Sequence, residues 1–188
     1  REIQTIGHNG SEALISSIEY NERGLPWKTW KTYDRTGGSI SYDANFSSKA
    51  KSAYGNNDFA FVENLYENSP LNRATKTIPF GGETQYGAIQ QNYSVDTING
   101  HNYSRTESID PNGKRTHTYT DGWGRTIRTV ADPGGINAIT EFTYDELDRL
   151  LEVRPPNYSD PPEGTHESNW IINYYYDKRG NLLTKHST

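Results

Sequence analysis

At 188 residues the chain is long enough for one domain with a core of useful size, yet only 31% of it is hydrophobic, its mean hydropathy is -0.95 and its net charge is -5. With no cysteine it excludes a disulfide framework and a thiolate metal site. Its Lys and Arg are scattered among Asp and Glu, which excludes nucleic-acid binding driven by a basic stripe.

No apolar run of about 18 residues gives a membrane span, and Arg1-Glu2-Ile3 does not open a signal peptide's apolar centre. The absence of methionine leads us to expect an excised or processed piece of a longer secreted polypeptide. Tyrosine dominates the aromatics, with 14 copies against five Phe and four Trp. A ring that buries while its hydroxyl stays wet suits sheets with open faces.

In chain order, Ser11 to Ile15 reads as a turn of helix and residues 47–54, Ser-Ser-Lys-Ala-Lys-Ser-Ala-Tyr, as a short helix. Asp110-Pro111-Asn112-Gly113 marks a turn before a half-buried strand at 114–120. Thr126-Ile127-Arg128-Thr129-Val130 alternates at period two as a second such strand. Asp132-Pro133-Gly134-Gly135 then turns the chain, and a return strand is expected from Ile136 to Tyr144. The proline-rich stretch 154–164 reads as a surface loop.

One phrase, Tyr-Asp-x-x-Gly-Arg/Asn-Leu, recurs through these elements. Its clearest copies are Tyr176-Asp177-Lys178-Arg179-Gly180-Asn181-Leu182 and Tyr144-Asp145-Glu146-Leu147-Asp148-Arg149-Leu150. Tyr119-Thr120-Asp121-Gly122-Trp123-Gly124-Arg125 carries one extra residue. Looser copies begin at Tyr20, Tyr33 and Tyr66. Each residue type meets a geometric demand: Tyr closes a strand, Asp accepts backbone N–H bonds, and Gly supplies positive φ. Asp148 stands in for Gly as one of the few residues that tolerate the left-handed region. The phrase therefore predicts mainly β structure, a meander of antiparallel hairpins forming an extended or shell-like sheet with minor short helix. We divide the chain into an irregular β segment with degenerate motifs, 1–100, and regular repeat hairpins, 101–188.

These motifs resemble the Rhs/YD-repeat family, most strongly over residues 116–185. Residues 18–80, with Asn56-Asn57-Asp58-Phe59-Ala60 and Tyr66-Glu67 through Arg73, look like the less regular segment before the repeats in Bacteroidota-type members. The resemblance implies secretion or cell-surface display and a role as scaffold, container or adhesin, as in polymorphic toxin shells, toxin-complex subunits, wall-associated proteins and teneurins. It also implies neighbouring repeats, identical subunits, an enclosed toxin or a surface glycan as partners. Family toxins cleave themselves at a pattern closing on Asp-Pro-x-Gly-Leu. Here Asp132-Pro133-Gly134-Gly135 is followed by Ile136 and Asp110-Pro111-Asn112-Gly113 by Lys114, so we expect turns at both places rather than proteolysis.

No catalytic, metal or cofactor-binding residue emerges. His8, His101, His117, His166 and His186 lack ligand spacing, and no nucleophile elbow, phosphate loop or dinucleotide fingerprint occurs. Trp27, Trp30, Trp123 and Trp170 fit cross-strand packing or a sugar platform. Asn9, Asn45, Asn92, Asn102 and Asn157 are acceptor sequons, conditional on a host that uses them. The expected function is a structural, non-catalytic repeat segment of a shell. A fibre subunit polymerising through a free edge such as 1–6 or 169–176, and a glycan- or receptor-binding module, are the alternatives.

Overall fold

The computed structural model describes residues 2–9, 12–37, 41–156 and 171–187. Fourteen strands and two short helices are assigned among them, so the mainly β reading with minor helix holds. The chain folds as two compact units, residues 1–91 with 110–113, and 92–109 with 114–188.

The first unit contains β1 (Glu2–Asn9), β2 (Glu12–Tyr20), β3 (Pro26–Trp30), β4 (Tyr33–Thr36), α1 (Phe46–Ala53), β5 (Phe61–Tyr66), β6 (Ala74–Ile78), α2 (Glu83–Tyr86) and the start of β7 (Ile89–Ile98). Its antiparallel order is β1-β2-β3-β5-β6-β7, with β4 pairing the first half of β2. In β2, Ala13, Ile15 and Ser17 are buried at every second position, the period of a strand with one covered face. This corrects the expected helical turn at Ser11 to Ile15. Non-local pairing of Ile15 with Ile6 and Tyr33 overrides the local propensity of Ser-Glu-Ala-Leu. Helix α1 seats Phe46 and Ala50 on that face. Trp30 packs edge-on to Phe46 at 5.5 Å and to Phe61 at 4.9 Å, completing the core with Tyr33 and Ala60.

The second unit is a meander in which the rest of β7 is followed in order by β8 (His101–Ile109), β9 (Arg115–Thr120), β10 (Thr126–Ala131), β11 (Ala138–Tyr144), β12 (Leu150–Arg154), β13 (Ile172–Tyr176) and β14 (Leu182–Ser187). Each pairs with its chain neighbours. The return strand after Val130 starts at Ala138 rather than Ile136. Asp132 accepts backbone bonds from both Gly135 and Asn137, which widens the turn and leaves Ile136 84% exposed. The proline-rich loop lies mostly outside the described residues, as do Asn169 and Trp170 of the expected terminal strand.

In both units the motif turns that join paired strands end in a register shift, as at Glu19/Tyr20, Thr126/Arg128, Thr143/Tyr144 and Tyr175/Tyr176. A bulge adds one residue and strengthens local twist, re-aiming the side chains next to each turn.

Candidate functional site

The recurring phrase folds into one repeated turn. In the copy joining β9 to β10, Asp121 Oδ1 accepts the backbone N–H groups of Trp123 and Arg125 at 2.9 and 3.0 Å. Asp121 Oδ2 accepts Arg125 Nε at 2.7 Å. The loop closes when Gly124 N donates to Asp121 O at 3.0 Å. Gly124 and Gly180 occupy φ of +84° and +87°, and Asp148 takes the same place at 66°. Asp145 repeats the pattern with Leu147 N, Arg149 N and Arg149 Nε at 2.9, 2.8 and 2.6 Å. Asp177 does so with Arg179 N, Asn181 N and Asn181 Nδ2, at 2.8, 2.8 and 2.9 Å.

Successive turns are also bonded to one another. The Arg149 guanidinium lies 5.0 Å from the Tyr176 ring centroid and donates Nη1 to the Asp177 carbonyl at 3.3 Å. In return, Tyr176 Oη donates to Leu150 O at 2.9 Å. One repeat earlier, Arg125 stacks on Tyr144 at 5.1 Å and reaches Asp145 O at 3.5 Å, while Tyr144 Oη donates to Thr126 O at 2.9 Å. Arg125 adds an ion pair to Asp148 at 3.3 Å. The first unit makes a similar link from another turn position, since Leu25 holds the place of Arg125 and Arg149 and Arg23 lies two residues earlier. Asn21 Oδ1 takes Arg23 N and Leu25 N at 3.0 Å, Arg23 Nη2 donates to Glu67 O at 2.8 Å, and Tyr66 Oη donates to Pro26 O at 2.6 Å.

The longer turn after Tyr66 substitutes Glu for Asp and inserts Ser69. Arg73 Nε and Nη2 each reach Glu67 at 2.8 Å, Ser69 Oγ donates to Glu67 Oε1 at 2.6 Å, and Leu71 N donates to Ser69 Oγ at 3.2 Å. The copy expected at Tyr33 is not a turn of this kind. Tyr33 to Thr36 form β4, with Tyr33 only 5% exposed in the core, because pairing to β2 claims the segment.

The turn carboxylates are held ionised. Hydrogen bonds from the Arg73 side chain and then Ser69 lower Glu67 to about 2. The Arg149 backbone N–H leads in lowering Asp145, and the Asn181 side chain in lowering Asp177. For Asp121, burial pushes upward most strongly, but the combined bonds from Arg125 and Trp123 outweigh it. Carboxylates held ionised and engaged in backbone capping are poor proton-transfer groups at neutral pH, and the arrangement cross-links successive turns.

Sequence reading missed Asp43, a buried carboxylate in the first unit. Its Oδ2 accepts Tyr33 Oη and Lys49 Nζ, both at 2.8 Å, and its Oδ1 accepts Asn45 N at 3.1 Å. Gln4 clasps its backbone with bonds of 2.8 and 2.9 Å. Burial opposes its charge, yet these donors bring it below the ordinary carboxylate value. In the second unit Glu107 is lowered to about 2, first by Asn92 and then, against burial, by His117 and Arg115. His117 Nε2 lies 3.3 Å from Glu107. Among the described residues no His/Cys/Asp/Glu group is arranged to hold a metal.

Of the sequons, Asn45 is exposed at the start of α1, Asn92 donates its amide to Glu107 at 2.8 Å, and Asn102 accepts Thr97 Oγ1 at 2.7 Å. The side chain of Asn9 and all of Asn157 lie outside the described residues. The tryptophans separate. Trp30 is core, Trp27 is half-buried with Lys28 Nζ 4.0 Å from its ring, and Trp123 is 83% exposed beside a groove of about 590 Å³ in the second unit.

An antiparallel meander of this form is the fold found in toxin-complex assemblies. It is similar to the TcdB2-TccC3-Cdc42 crystal structure, with a TM-score of 0.61 and 17% identity over 99% of this chain. It is equally similar to TcdB2-TccC3, at 0.61, 18% and 99%, and to the Photorhabdus luminescens Tc holotoxin pore, at 0.61, 18% and 93%. The chain spans only 8–9% of the length of those chains. No curated protein matches it. The chain belongs to the DUF6443 family, a domain of unknown function whose sequence model matches residues 1–97.

Proposed function

We propose that this chain is a structural, non-catalytic segment of an Rhs-type YD-repeat shell or scaffold, secreted or displayed at the cell surface. The observation that carries the reading is the reciprocal bonding of successive turns, in which Arg149 bonds Asp177 O and Tyr176 bonds Leu150 O. A repeat so built completes its polar groups against its neighbour, the behaviour of a quasi-one-dimensional array. Likeness to the TcdB2-TccC3 fold supports the same reading. Its partners would be further repeats and an enclosed polypeptide. Negative-stain electron microscopy of the native polypeptide that carries this chain tests the proposal: hollow particles are expected, and solid globular particles overturn it.

A second reading, a fibre subunit, draws on β14. All six of its residues are exposed, with Leu182 at 53% and Leu183 at 67%. Exposed apolar side chains on a strand offer a surface to another chain. Filaments in the same images would favour it, and deletion of residues 182–188 would then leave soluble monomers.

A further inference from the structure

The register shift after a motif turn leaves one residue of the returning strand without a cross-strand partner. In four copies that residue is Thr75, Ile127, Leu151 or Leu183, and in the first copy it is Trp27, between the paired Pro26 and Lys28. Aliphatic and hydroxyl side chains therefore suffice for the hairpin, which has no need of an indole. Trp27 instead lines a groove of about 400 Å³ with Tyr20, Leu65 and Tyr66, within the size range of small-molecule clefts. Its aromatic walls are braced in advance. Tyr66 Oη is bonded to Pro26 O at 2.6 Å, and Lys28 Nζ, which does not line the groove, lies 4.0 Å from the Trp27 ring. Walls so held lose little freedom when a ligand arrives.

The charged residues of the lining are Glu22 and Arg23. Among the described residues the Glu22 carboxylate, the Tyr20 hydroxyl and the Trp27 indole N–H have no hydrogen-bond partner in the protein. Arg23 is anchored through Nη2 to Glu67 O at 2.8 Å, which holds its positive charge at the groove. Three aromatic rings attract a cation. A primary ammonium would bring N–H donors that ring faces leave unsatisfied, whereas a quaternary ammonium has no donor and offers methyl groups to the rings and to Leu65. A cation alone would still meet repulsion from Arg23. A zwitterion meets both signs: its ammonium faces the rings and Glu22, and its anion accepts from Arg23 and the free indole and phenol donors.

We propose that this groove binds a zwitterion joining a quaternary ammonium to a carboxylate or phosphate. Tyr20, Trp27 and Tyr66 surround the ammonium, Glu22 is its counter-charge, and Arg23 is the partner of the anion. The groove lies wholly within the first unit, so it stands or falls apart from the shell reading.

The test is calorimetric titration of the 188-residue chain with glycine betaine and with phosphocholine, against glycine, which carries the same two charges as betaine without the methyl groups. We expect saturable binding of at least one of the two methylated zwitterions and binding of glycine about tenfold weaker or absent. Trp27→Ile, which installs the residue type of position 127, should weaken binding about tenfold or more, and Trp27→Phe should keep most of it. Glu22→Gln, which removes the counter-charge but breaks no bond of the turn, should also weaken it, whereas Trp123→Ala in the second unit should bind as the parent does. Thermal melts show that each variant keeps its fold. Co-sedimentation with phosphatidylcholine vesicles, against phosphatidylglycerol vesicles, assigns the source: recovery with the former names a lipid headgroup, and its absence a free solute. Failure of both zwitterions to bind saturably, equal binding of glycine, or parental affinity in Trp27→Ile overturns the site.

Discussion

At the scale of single residues, the turn aspartate is the most committed group in the repeat. Asp121 satisfies two backbone donors and one guanidinium at once, with its side chain 9% exposed. Asp121→Ala leaves those donors short of partners and should destabilise by about 1–3 kcal/mol, read as a lower midpoint in urea. Gly124→Ala meets no atom within 4 Å, so its cost is conformational alone, about 1–2 kcal/mol for a side chain at positive φ. An unchanged midpoint in Asp121→Ala would show that water replaces the carboxylate. These turns were legible in the sequence because the bonds that the Asp145 carboxylate accepts from Leu147 N, Arg149 N and Arg149 Nε all run to residues within four positions. Asp43 was not legible, because Gln4, Tyr33 and Lys49 meet it from 39, 10 and six residues away.

Between elements, the sequence showed the hairpins but not what binds one to the next. The Tyr of each phrase reads simply as a strand end, yet Tyr144 Oη and Tyr176 Oη bond carbonyls 18 and 26 residues back, a spacing set by intervening strands. Tyr144→Phe removes one such bond and should cost about 0.5–1.5 kcal/mol. Arg149→Ala removes the guanidinium that joins its own turn to the Asp177 turn. Amide exchange should then quicken in β13 and β14 while β9 and β10 keep their protection. Uniform quickening would mean that the repeats unfold as one cooperative block. In the first unit the reverse failure occurred. Ser-Glu-Ala-Leu looked helical and the Tyr33 copy looked like a turn, but both are strands because β2 and β4 pair with each other and bury Ile15 and Tyr33.

Across the whole molecule, the described buried hydrophobic residues lie mainly in the first unit, and Val130 stands alone in the second. The second unit therefore depends on ladders and charged turns more than on an oily core, and carboxylates with depressed pKa values occur in both units, where acid should find them. Glu67 and Glu107 sit at about 2 against an ordinary 4.5, and Asp43, Asp121, Asp145 and Asp177 lie below their ordinary 3.8. A depressed folded-state pKa means that the unfolded chain takes up the proton first. The stabilisation from Glu67 and Glu107 is complete above the unfolded value near 4.5 and is lost as pH falls through about 2. Thermal midpoints followed by circular dichroism should thus stay level from about pH 7 to 5 and fall steadily from about 4.5 to 2. Glu107→Gln keeps the shape of the side chain but cannot titrate, so its midpoint should be lower at neutral pH and its decline across the acid window shallower. A parental slope in that variant would remove Glu107 from the list of groups that couple protons to folding, leaving Glu67 and the aspartates to account for the acid transition.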